Sequence, residues 1–185
     1  MASVDQIING IIDKEGGYID HADDAGGPTN FGITLKLYRV YHPTATIDNL
    51  KVMAHQEAYS IYESEFYIKT GIKLIFPLSQ RITEEVLDTA VNLGPSWGIS
   101  FLQRSLNAFN LKGKAYSDIP SSGTGVGPLT VAALKAFLAY RGQLAEPVML
   151  KALNSLQAAR YIELAEKNES DESFVFGWIN QRVSL

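Results

Sequence analysis

The chain has 185 residues, of which 46% are apolar and 19% charged, with a formal net charge of −4. That mix excludes a disordered chain and suits one ordinary domain or two small packed halves. The acidic balance supplies no basic face for nucleic acid, so no nucleic-acid partner is expected. Cysteine is absent, which excludes disulfides and thiolate metal sites. Met1-Ala2-Ser3-Val4-Asp5-Gln6 has no basic leader region, and no apolar run approaches the ~18 residues of a membrane span. The expectation is a soluble product made in the cytoplasm without an export signal of its own and without membrane insertion.

Ser3, followed three residues later by Gln6, predicts a capping box opening the first helix. Val4, Ile7, Ile8, Ile11 and Ile12 recur at helical spacing, the same face reaches Glu15, and Gly16-Gly17 ends the helix. Glu15 is therefore expected in the last turn on the core-facing side. Burial and the C-terminal end of the helix dipole both oppose a negative charge there. A carboxyl that keeps its proton is what a general acid for glycoside cleavage needs.

Residues 19–34 read as an irregular loop around Ala25-Gly26-Gly27-Pro28, with no sustained alternation that would predict a strand. A short helix over 34–41 is broken by Pro43. Asp48 or Asn49 precedes one long helical pattern to residue 69, with Ala58, Ile61, Tyr62 and Phe66 on one face. A connector over 71–77 leads to a helix over 82–93 that stops at Gly94-Pro95. From Trp97 the pattern restarts through Ile99, Leu102, Leu106 and Phe109, followed by a Gly/Ser-rich loop over 112–127. Pro128 and Pro147 open two further helices, residues 168–173 form a polar turn, and an aromatic-rich segment with Phe174, Phe176 and Trp178 closes the chain. The fold class is all-α, with a seam near 94–97 dividing the chain into 1–95 and 96–185.

The chemistry concentrates in the first block. Glu15 is the candidate acid. Asp24 is the candidate second carboxylate, with Asp20 and Asp23 behind it, and Thr29 is a candidate for positioning water. Each has a plainer reading: Asp24 as an Asx turn before the glycines, Thr29 as a loop hydroxyl bonding nearby backbone. Tyr18 either stacks on a sugar or staples the loop, and Asn92 is either a sugar contact or a helix cap. Asn30, Thr34 and Tyr67 complete the candidate substrate contacts, whereas Tyr62, Phe66, Trp97 and Trp178 read as core. His21, His42 and His55 have no ligand spacing, so neither metal nor cofactor is expected. Nothing in the sequence speaks to oligomeric state.

Glu15-Gly16-Gly17-Tyr18 with Asp24-Ala25-Gly26-Gly27-Pro28-Thr29-Asn30-Phe31-Gly32-Ile33-Thr34 resembles the signature of glycoside hydrolase family 108, phage and prophage N-acetylmuramidases of which some are described as secretion activators. Ile61-Tyr62 with Phe66-Tyr67 resembles a further family segment, with Tyr67 where tryptophan is usual. Asn92-Leu93-Gly94-Pro95, Leu102-Gln103, Gly125-Val126-Gly127-Pro128-Leu129-Thr130 and Gly177-Trp178 with Arg182-Val183 resemble the peptidoglycan-binding half that commonly follows. The resemblance implies a lysozyme-like helical part with an irregular active-site loop, packed on a helical peptidoglycan-binding part. It also implies hydrolysis of the β-1,4 bond between N-acetylmuramic acid and N-acetylglucosamine, with Glu15 catalytic and bacterial peptidoglycan as partner after release to the wall. Two rivals stand beside it: a lytic transglycosylase needing only Glu15, and a wall-binding or secretion-assisting protein without turnover.

Overall fold

The computed structural model describes residues 3–20 and 27–183. They form two compact units, Met1–Glu65 and Phe66–Leu185, both built of helices. The all-α expectation holds apart from one small hairpin.

In the first unit, α1 (Val4–Glu15) opens on the predicted capping box. Ser3 Oγ accepts from the Gln6 amide at 3.2 Å, and the Ser3 amide donates to Gln6 Oε1 at 2.8 Å. Its apolar stripe, Ile7, Ile8, Ile11 and Ile12, is fully buried. The segment read as irregular contains an antiparallel pair, β1 (Thr29–Asn30) and β2 (Ile33–Thr34), with Thr29 opposite Thr34 and Asn30 opposite Ile33. Phe31 and Gly32 join the strands, both at positive φ (50° and 70°), the twist that a two-residue hairpin turn demands. Two-residue strands are too short to show the alternation that marks a strand in sequence.

Three helices follow: α2 (Leu35–Tyr41), α3 (Ile47–Lys51) and α4 (His55–Tyr62). The single long helix expected from 48 or 49 to 69 is therefore broken once, between Lys51 and His55. Thr46 and Asn49 form a capping box that starts α3 earlier, and Met53 turns into the core before α4 begins. After α4 the backbone widens into a π-helical stretch, Glu63–Ile68.

The second unit holds α5 (Gln80–Leu93), α6 (Pro95–Phe109), α7 (Pro128–Arg141), α8 (Ala145–Lys167) and α9 (Glu172–Arg182). Ser79 caps α5, and prolines stand at the starts of α6 and α7, where the missing N–H costs nothing. α5 packs on both α6 and α8. At the first contact a Cβ on Gly98 would come within 2.4 Å of the Val86 carbonyl oxygen, so the two backbones touch where only glycine fits.

Phe101, Leu102, Leu134, Phe137, Met149 and Tyr161 are buried in this core. Gln103 ties the long loop to it. Its amide nitrogen donates to the Gly125 carbonyl and Thr130 hydroxyl, both at 3.1 Å, and its oxygen accepts from the Gly123 amide. At the end of the chain Arg182, buried, reaches both oxygens of buried Asp88 at 3.2 Å.

Candidate functional site

The site grows from the place where α1 ends. Glu15 is half-buried in the last turn, its carboxyl turned toward the hairpin tip. A Cβ on Gly32 would lie 2.8 Å from Glu15 Oε2, 2.9 Å from Glu15 Cγ and 2.7 Å from the Tyr62 hydroxyl. The carboxyl and the hydroxyl therefore share the space that a side chain at residue 32 would fill. Tyr62 is 2% exposed on α4 and donates to the Phe31 carbonyl at 2.8 Å. A buried phenol needs such a partner, and this one fixes the turn against the helix. With its single proton directed at Phe31, the Tyr62 oxygen faces its surroundings as an acceptor.

The Phe31 ring meets His55 edge-on at 5.5 Å, and His55 Nε2 stands 3.6 Å from Asp13 on α1. Tyr18, half-buried just beyond α1, donates to Asp20 at 3.1 Å and lies under the Lys51 ammonium at 5.2 Å. Burial first, and then the Asp20 carboxylate, push the Tyr18 hydroxyl above the usual phenol range.

The remaining candidates fall in different places. Asp24, together with Asp23, lies outside the described residues. Thr29 and Thr34 face each other at the open end of the hairpin, two residues from the tip that Glu15 meets. The Thr29 amide and carbonyl both pair with Ile19, which ties the loop to the hairpin, and the Thr34 hydroxyl accepts from the Leu37 amide as the cap of α2. Asn30 is corrected from sugar contact to anchor. It is 3% exposed, and its amide nitrogen donates to the carbonyls of Leu50 (2.8 Å) and Lys51 (3.2 Å), pinning the hairpin to α3.

Tyr67 and Asn92 belong to the second unit. Tyr67 is buried, so its ring is core and not the open sugar platform that its position suggested. Asn92 accepts from the Tyr161 hydroxyl at 2.7 Å, a link from α5 to α8; the cap of α5 is Gly94. Tyr62 and Gly32 are the site residues that sequence reasoning passed over. The usable signals were a buried phenol that needs an acceptor and an Asn-Phe-Gly run of hairpin-turn type. Among the described residues no cluster of three acidic or histidine side chains is placed to hold a metal, and no helix is long and apolar enough to cross a membrane.

A helix-terminal glutamate facing a hairpin tip, in a small helical unit, defines the class as lysozyme-like. Residues 8–94 match Glycosyl hydrolase 108 and residues 97–183 match the Predicted Peptidoglycan domain, so the chain carries a glycosyl hydrolase 108 segment followed by a peptidoglycan domain. SagA of Brucella abortus shares the fold, with a TM-score of 0.70 and 22% identity, over 93% of this chain and 84% of that one. Among functionally curated proteins none matches.

Proposed function

We propose that the protein is an active muramidase, cleaving the β-1,4 bond between N-acetylmuramic acid and N-acetylglucosamine in peptidoglycan, with Glu15 as the general acid. The observation that carries this reading is the convergence of the Glu15 carboxyl and Tyr62 hydroxyl on the place a Cβ at Gly32 would take. The leaving sugar oxygen must receive a proton as the glycosidic bond breaks, and Glu15 supplies it. Asp24 remains the candidate for activating water or stabilising positive charge at the anomeric carbon. The matching peptidoglycan domain supports the polymer as substrate. A phage or prophage endolysin, released to the wall from the cytoplasm in which it is made, is the setting that suits this activity.

Mass spectrometry of digested peptidoglycan tests the reading. Products ending in reducing muramic acid are expected. The anhydro product would assign a lytic transglycosylase, and no soluble product would assign a wall-binding protein without turnover. Glu15→Gln should lower the rate of product release at least about a hundredfold, the low end of general acid catalysis, with the circular dichroism spectrum unchanged. A folded variant with most of its activity left would remove Glu15 from the chemistry.

A further inference from the structure

The second unit contains a cleft that the glycosidic chemistry does not use. It has a volume of about 520 Å³ and lies among the end of α6, the end of α7 and the start of α8. The chain turns sharply at Gly142, and the turn leaves Tyr140 (58%), Leu144 (71%) and Val148 (41%) exposed around the opening. Phe109 and Phe137, stacked at 5.6 Å, form the wall behind them. Such a concentration of exposed apolar side chains on one corner marks a surface built to meet something, and its volume suits a small-molecule-sized group.

One charged residue lines the cleft: Arg141. Its Nη2 donates to the Phe109 carbonyl at 3.3 Å and its guanidinium lies 5.7 Å from the centre of the Tyr140 ring, which together hold it at the rim. Among the described residues it has no carboxylate partner. A guanidinium has five N–H donors in a planar fork, and one of them is engaged here. An apolar cleft with a held, unneutralised fork at its edge is complementary to a small alkyl group bearing a carboxylate.

We propose that this cleft seats the C-terminal D-alanine carboxylate of a peptidoglycan stem peptide, with Arg141 as its anion partner and Phe109 and Tyr140 as its walls. The proposal rests on peptidoglycan being the polymer recognised, but not on Glu15 or on turnover. Chemistry selects the peptide over the glycan. The sugars are neutral, and the lactyl carboxyl of muramic acid is consumed in the amide that attaches the peptide, so the free carboxylates of an intact strand sit on its stem peptides. Ring hydroxyls call for a spread of polar partners, and besides the guanidinium only the Tyr140 hydroxyl among the lining side chains is polar. A second, more polar cavity nearby does not compete. The Asn110 amide is spent on Asp118 and the Gly113 amide, and the Asn107 amide on the backbone of Ile119.

Calorimetry on the intact chain tests the proposal with three probes: the pentapeptide L-Ala-γ-D-Glu-L-Lys-D-Ala-D-Ala, the same peptide with its C-terminus amidated, and N-acetylglucosamine tetrasaccharide. None contains the bond between muramic acid and N-acetylglucosamine. The acid peptide should bind, the amidated form about tenfold or more weakly, and Arg141→Gln should lose a similar factor, as expected for a charge-assisted pair. Arg141 is exposed, so this variant should fold, and Arg141→Lys should recover part of the affinity. Equal binding of acid and amide, binding indifferent to Arg141→Gln, or binding of the sugar alone would overturn it. Cleavage of peptidoglycan without peptide binding would fail this proposal alone; peptide binding without cleavage would fail only the muramidase reading.

Discussion

The hairpin corner of the first unit and the three-helix core of the second are stabilised in opposite ways. Around Glu15 the backbone is held by single polar contacts: Tyr62 on the Phe31 carbonyl, Asn30 on the ends of α3, Thr29 on Ile19. The local chain is short, turns through two positive φ values and has no room for a side chain at Gly32, where Glu15 and Tyr62 close in. Around α5 the stability comes from apolar burial on two neighbouring helices and from backbone contact at Gly98. The difference shows how a small protein separates demands: an open corner keeps a carboxyl accessible, while a close-packed core supplies the cooperativity that the corner lacks.

The largest test of this contrast is truncation after Gly94. It ends the chain at the boundary between the two family segments but strips α5 of α6 and α8. Fragment 1–94 should lose cooperative thermal unfolding and expose the α5 face to a hydrophobic dye. A fragment melting as sharply as the whole chain would show that the first segment is self-sufficient.

Next in size is Arg182→Ala. Removing one partner of a buried ion pair takes the guanidinium from the Asp88 carboxylate, and about 3–5 kcal/mol of stability should disappear in denaturant titration. The paired change Asp88→Leu with Arg182→Met should cost less than either half alone.

At the open corner, Gly32→Ala places a methyl group against Tyr62 and Glu15 at a positive φ. The expected loss is about 1–3 kcal/mol in stability, together with a drop in peptidoglycan cleavage per folded molecule. A folded, fully active Gly32→Ala protein would separate Glu15 from the hairpin tip. The smallest effect belongs to Asn30→Ala, which removes the side-chain donor to the Leu50 and Lys51 carbonyls and should cost roughly 1–2 kcal/mol in thermal melts. Its effect on rate should be far below that of Glu15→Gln, because it supports the hairpin without touching the carboxyl.

Much of the architecture could be read from local signals. Ser3 and Gln6, the isoleucine stripe, the Gly16 stop and the proline opening α7 are decided within one or two turns of chain, where sequence and structure share the same physics, whereas α6 begins at Pro95, before the restart expected at Trp97, and α8 at Ala145, before Pro147. The break between α3 and α4 was hidden because the apolar pattern runs on through it, with Met53 buried between the two helices. The hairpin was hidden by its brevity. At the site, Glu15 was legible because its helix face points to it. The contacts of Asn30, Asn92 and Tyr67 were not, since the groups that claim or cover them lie elsewhere in the chain. Tyr62 is core, and its ring still delivers its hydroxyl to the hairpin turn.

Gly98 also sets a rule of compatibility. The two family segments meet through a backbone contact at the fourth residue of α6, so a different wall-targeting module could be grafted behind α5 only if its leading helix brings a residue without a Cβ to that place. The junction is read by the size of one side chain, and an otherwise well-matched module with alanine there would be held off the helix that should receive it.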